Sequence, residues 1–332
     1  MLYRVGRVVV NAASSQKGFG AGRSGARRGT GRWPAPLLML VGGTSMYLGA
    51  AIAVGLFDRL SPAAVAWLRI AGAAMVLLIW IRPPLAAWHR DRLVLAGAFG
   101  LITAAMNIAF YEALARLPLG TTVALEFLGP VAVAALGSRT RRDVVALLLV
   151  AAGVILIVDV QWSATPLGLA CALAAAACWA GYIVLGKRVA VRGAGLEDLT
   201  TGFVVAALLT SPLALLLRPA FEVGAPTLRI LGLGVALGVL STALPYALDQ
   251  VILRQVGRAR FAILLALLPV TAALVGLLAL RQLPPIAEII GIVAVAAAIG
   301  VQGGGSRADA THSDSAPHGD TDPDTDREIP PS

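Results

Sequence analysis

The chain has 332 residues, of which 58% are hydrophobic and 14% charged, where ordinary soluble domains carry roughly 25% charged residues. Its Leu, Ala, Val and Ile come in blocks of about 20, enough to cross a hydrocarbon slab of about 30 Å, which argues against a large soluble helical protein. The formal charge of +9 is not a nucleic-acid signature, because no basic stripe with interleaved aromatics accompanies it.

Residues 1–34 hold seven Lys or Arg and no acid and read as a basic, disordered N-terminal tail. Ten apolar segments follow, at Leu37–Phe57, Pro62–Ile81, Leu93–Leu114, Leu119–Gly137, Val144–Val160, Pro166–Gly186, Leu199–Leu217, Leu228–Val251, Ala259–Leu280 and Pro285–Gln302. Short linkers marked by Pro or clustered charge, such as Ser138 to Asp143, leave sequential segments antiparallel. The expected fold is an all-α integral membrane protein of ten transmembrane helices. Residues 304–332, with seven acids against two Arg, read as an acidic, disordered C-terminal tail. Cys171 and Cys178 sit seven residues apart in one segment, where neither a disulfide nor a metal set fits. No cofactor is expected.

Loop charge sets the expected orientation. With a cytoplasmic N-terminus, the inner loops hold Arg82, Arg90, Arg92, Arg139, Arg141, Arg142, Lys187, Arg188, Arg192, Arg254, Arg258 and Arg260. The outer loops hold only Arg59, Arg116, Arg218, Arg229 and Arg281. Counting the N-terminal arm, nineteen against five puts both termini on the cytoplasmic side of the plasma (inner) membrane. Pro130 in ALEFLGPVAVAAL and Pro269 in AILLALLPVTAAL lie 139 residues apart, each in the fourth segment of a set of five. An odd number of crossings inverts the second copy. Two inverted five-helix repeats, over 35–160 and 161–303, are therefore expected, as in many secondary carriers.

The stretch from Asn107 to Pro130 holds the polar residues that packing explains least. Glu126 is a lone acid in an apolar segment just before Gly129-Pro130, costly unless it is paired, protonated or facing an aqueous cavity. At 1.5 Å per residue, Arg69, Asn107 and Glu126 share a level about 10 Å below the outer boundary. Arg69 and Glu126 either line a central cavity, with Asn107 and Tyr111 supplying hydrogen-bonding groups, or form a structural pair that never meets cargo. Glu126 is also the best candidate proton carrier, since such a carboxylate can take up and release a proton as a cavity opens and closes. Glu112, near its segment's outer end, reads as an outer gate or a solvated acid. Asp249 falls near the inner end of the eighth segment, where Arg254 could offset it. Tyr47, Trp179, Tyr182 and Tyr246 either pack against lipid and protein or line an apolar cavity. Pro130 and Pro269 are expected to bend their helices.

The stretch MNIAFYEALARLPLGTTVALEFLGPVAVAALGSR (Met106–Arg139) resembles the signature region of the threonine/homoserine exporter group, in the EamA branch of the drug/metabolite transporter superfamily. CWAGYIVLGKRV (Cys178–Val189) and LPYALDQVILRQV (Leu244–Val256) resemble that group's second half. The resemblance covers about residues 37–303. It implies export of small or hydrophobic amino acids driven by the proton-motive force, from ten helices in two inverted repeats with inward termini. Asn107, Tyr111, Glu112, Glu126 and Pro130 match the first-half pattern; Trp179, Tyr182, Pro245, Tyr246 and Pro269 match the second. Similar proteins often carry Glu before the second-half Pro, where this chain has Leu268, so weight shifts to Glu126. The function expected is a proton-coupled exporter of threonine- or homoserine-like amino acids, with a broad exporter of drugs or hydrophobic metabolites as the alternative. Its partners are a small-molecule substrate and the lipid bilayer. No His/Asp/Glu cluster or Ser/Lys pair at depth marks an intramembrane enzyme.

Overall fold

The computed structural model describes residues 34–137, 141–161, 165–190, 195–218 and 227–313, and among them every regular element is helical. The helices are α1 (Ala35–Val54), α2 (Pro62–Ile81), α3 (Arg90–Leu114), α4 (Leu119–Glu126), α5 (Leu128–Gly137), α6 (Arg141–Gln161), α7 (Pro166–Ala190), α8 (Gly195–Leu209), α9 (Thr227–Gly238), α10 (Leu244–Leu264), α11 (Leu267–Leu280) and α12 (Ile286–Ser313). Short 3-10 turns occupy Leu85–Trp88 and Ser211–Leu217, and a π-helical turn Val239–Ala243. The expected basic arm, apart from Pro34, and the tail beyond Ser313 lie outside the described residues, as does most of the Ser138–Arg141 linker.

Among the described residues, six apolar stretches are long enough to cross a membrane: Ala35–Val54, Pro62–Ile81, Arg92–Leu114, Leu119–Leu136, Pro166–Leu185 and Leu228–Tyr246. A bent pair, Glu197–Leu209 with Ser211–Leu217, makes a seventh, and Val144–Ile157, Leu267–Leu280 and Ile286–Val301 are shorter apolar helices. Large aliphatic side chains stand on the outside, with Leu148 65% and Leu278 78% exposed. Such a surface belongs against lipid rather than water. The chain is a multi-pass membrane protein.

Prolines account for most of the irregularities. The fourth segment breaks at Phe127, three residues before Pro130, because Pro130 has no N–H for the Glu126 carbonyl. The ninth breaks at Leu265 and Ala266, at the same spacing from Pro269. Pro212 follows the 57° bend in the seventh. At α2 the start is capped, with Ala64 N–H donating to Ser61 Oγ (3.3 Å) and Pro62 in the first position. The N-terminus of α4 is capped from far along the chain, where Leu119 N–H donates to Gln282 Oε1 (2.9 Å).

Two expected boundaries change. The stretch from Ile252 to Arg258, expected as an inner loop because of its arginines, lies within α10. Its Leu, Arg and Gln are strong helix formers, and Gly257 weakens the helix without breaking it as a Pro would, so charge alone does not end the helix. The last helix was expected to stop near Gln302 but runs to Ser313. Consecutive glycines weaken a helix without ending it, and the Ala-containing residues after them sustain it.

Contacts between the two halves position the cavity. α3 packs on α7 and α8, α2 on α8 and α9, α1 on α10 and α11, α7 on α4 and α5, and α6 on α12. Glycine lets backbones meet at the tightest crossings. A Cβ on Gly72 would overlap the Gly234 carbonyl, and one on Gly100 the Gly202 carbonyl. At the start of α3, Arg92 reaches α8, with Nη2 2.7 Å and Nε 3.2 Å from Asp198 Oδ1 and Nη2 3.6 Å from Glu197 Oε2.

Candidate functional site

A cavity of about 310 Å³ lies where the proline-disturbed helices meet. One side is α1, with Met39, Gly42, Gly43, Met46, Tyr47 and Ala50. α2 contributes Arg69, α3 contributes Met106, Asn107 and Phe110, and the first break contributes Glu126 and Phe127. α7 adds Trp179 and Tyr182; the π turn and α10 add Ser241, Pro245, Tyr246, Asp249 and Phe261; the second break adds Leu265 and Leu268. Both proline-induced breaks therefore open onto the same space.

The charged groups are held apart. Arg69 Nη2 donates to the Ser241 carbonyl at 3.0 Å, and its Cζ lies 5.7 Å from the centroid of the Tyr111 ring, within cation–π range. Among the described residues, neither Glu126 nor Asp249 has a Lys or Arg within ion-pair distance. Arg69 and Glu126 both line the cavity wall, with no salt bridge between them. The reason is local: the freed Ser241 carbonyl and the Tyr111 ring already hold the guanidinium.

Polar and aromatic neighbours fix the rest of the wall. Asn107 donates through Nδ2 to the Thr103 carbonyl (2.7 Å), and Thr103 Oγ1 donates to Phe99 O (2.7 Å). The hydroxyls of Tyr182 and Tyr246 lie 3.4 Å apart, and Tyr182 stacks on Phe99 with centroids 4.5 Å apart. Trp179 meets Phe127 edge-on at 4.7 Å. Tyr47 is 2% exposed and lies on the wall. Rings and thioethers thus surround a few polar points, the usual make-up of a small-molecule site.

The structure brings Arg69, Asn107, Glu126, Trp179, Tyr182 and Tyr246 together on this wall. Two expected residues are not on it. Tyr111 is fully buried beneath Arg69, its hydroxyl turned toward Arg69 and Ser241 without a hydrogen bond of normal geometry. Glu112 is taken by Arg116, whose Nη1 lies 2.6 Å from Glu112 Oε2 and also meets the Glu112 carbonyl. Tyr111, one turn beyond Asn107 on nearly the same face, falls under Arg69, and Glu112, the next residue around the helix, turns to Arg116. Pro130 and Pro269 act through the breaks and do not line the wall. Sequence reasoning set Asp249 aside as a boundary acid beside Arg254, and missed Ser241 and Phe261. The pointer to Asp249 was its place four residues after Pro245 in an apolar stretch.

A profile of the EamA-like transporter family matches residues 166–301. The threonine/homoserine exporter RhtA of Salmonella typhimurium (strain LT2) is 32% identical over 278 residues, covering 80% of this chain and 90% of that protein. RhtA of Escherichia coli (strain K12) is 32% identical over 279 residues, with the same coverage.

Proposed function

The chain belongs to the EamA-like transporter family, and from that premise we propose that it is a secondary transporter exporting small amino acids, threonine- or homoserine-like, by proton-coupled alternating access. The observation that carries the reading is the separation of charge in the cavity. A guanidinium and a carboxylate on different helices face one space with no salt bridge between them. A zwitterion matches that arrangement, its carboxylate toward Arg69 and its ammonium toward an acid. In this reading Glu126 carries the proton and Asn107 orients the substrate. The methionines and aromatic rings of the wall favour a second reading, a broad exporter of hydrophobic metabolites or aromatic amino acids.

We further propose ten crossings in two inverted repeats with both termini cytoplasmic. What supports the repeat is that the main contacts between the halves survive their exchange. Swapping α1 with α7, α2 with α8, α3 with α9 and α10, α4 and α5 with α11, and α6 with α12 turns each of those main contacts into another of them or into itself. The α3–α8 contact becomes α2–α9, α3–α7 becomes α1–α10, α5–α7 becomes α1–α11, and α6–α12 maps onto itself. The glycine crossings follow the same rule, Gly100 on Gly202 exchanging with Gly234 on Gly72. Such an arrangement lets the halves trade conformations around a fixed site.

Threonine uptake into inverted membrane vesicles under an imposed pH gradient tests the transport reading. Glu126→Gln should abolish gradient-driven accumulation while leaving threonine binding in place. Gradient-driven uptake equal to wild type in that variant would remove Glu126 as proton carrier.

A further inference from the structure

Pro245 is the first N–H-less residue after the π turn, and its effect reaches two carbonyls. In α register its nitrogen would serve the carbonyl of Ser241, and in the wider π register that of Leu240. It can donate to neither. Each of these carbonyls is taken by a side chain from another helix. Ser45 Oγ of α1 donates to Leu240 O at 2.9 Å, and Arg69 Nη2 of α2 donates to Ser241 O at 3.0 Å. Ser241 Oγ then donates back to the Met46 carbonyl at 3.3 Å. Ser45 and Ser241 are both buried, so water is a poor substitute for these partners.

The guanidinium is a rigid fork of five donors. With one donor on Ser241 and its face over Tyr111, its orientation is determined and the remaining donors stay on the cavity wall. A free Arg69 side chain would instead be drawn to a carboxylate of the same cavity, Glu126 or Asp249. We propose that Pro245 is a positioning residue: by withholding the N–H that would serve Ser241 where the α register resumes, it leaves a carbonyl dock that tethers Arg69 and keeps the cation open to a substrate carboxylate. The inference rests on the reading above, in which Arg69 receives that carboxylate. It adds that specificity for an acid over its amide originates in a proline on another helix.

The test is competition against labelled L-threonine on the purified full-length chain in nanodiscs, with unlabelled L-threonine or L-threoninamide as competitor. Wild type should prefer the acid. Pro245→Ala supplies the missing N–H, so the acid-over-amide preference should fall about tenfold while the amide still competes. Arg69→Lys keeps the charge but lacks a fork able to hold the dock and a carboxylate together, and should lose the preference similarly. Arg69→Met separates the two claims. A preference unchanged in Arg69→Met overturns the site reading and this inference with it. A preference lost in Arg69→Met but intact in Pro245→Ala overturns the inference alone. If Pro245→Ala does not fold, Arg69→Lys decides, and full retention of the preference there sinks the dock.

Discussion

The two ends of α3 each carry an ion pair, and the pairs have different consequences. At the Arg92 end the guanidinium crosses to α8, where the Asp198 side chain is 6% exposed. At the Glu112 end the partner is Arg116, one turn along the same chain, with both side chains about a quarter to a third exposed (26% and 32%). A pair that joins two helices through a buried carboxylate fixes their relative position, whereas an i,i+4 pair with both partners partly exposed steadies only its own turn. Between these ends the same helix presents Asn107 to the cavity and meets Gly202 of α8 at Gly100. The Arg92 end thus anchors the wall that carries Asn107, and the Glu112 end is peripheral to it.

The sharpest way to break this contrast is at the crossing itself. Gly100→Leu would drive a side chain into the Gly202 backbone, and should cost at least about 3 kcal/mol, seen as loss of folded protein in detergent. Gly232→Leu, where a Cβ meets nothing within 4 Å, should melt like wild type. Arg92→Met comes next. It leaves the Asp198 carboxylate buried without its strongest partner, and should lower stability by about 1–3 kcal/mol in a thermal melt. Adding Asp198→Asn to that variant should recover part of the loss. The smallest effect belongs to Arg116→Ala, expected at no more than about 0.5 kcal/mol and vanishing at high salt. A loss there as large as that of Arg92→Met would mean the Glu112 end also holds helices together.

Much of the site could be read from the residues. Glu126, Arg69 and Asn107 stood out because a charge or amide deep in hydrocarbon has few explanations, and their common depth follows from counting residues along a helix. Depth says nothing of facing direction, which is why Tyr111, expected to offer its hydroxyl to the cavity, lies beneath Arg69 instead. Asp249 is less legible: its place near a segment end suits a boundary acid, and only the tertiary arrangement puts it on the cavity wall, while the side chain of Arg254, the partner expected for it, lies outside the described residues. The arginines after it suggested a loop, but helix continuation depends on backbone hydrogen bonds and not on side-chain charge.

The sequence by itself determined that the chain crosses lipid repeatedly, where its helices are disturbed, and which polar groups are too deep to be incidental. Those properties are local: hydropathy sums over a window, and a proline acts within one turn. Only the tertiary structure decided that Arg69 bonds to the Ser241 carbonyl rather than to Glu126, and that both proline breaks open onto one space. That choice depends on how helices distant in the chain cross and rotate, and those angles arise from packing at the glycine contacts, which no single segment contains.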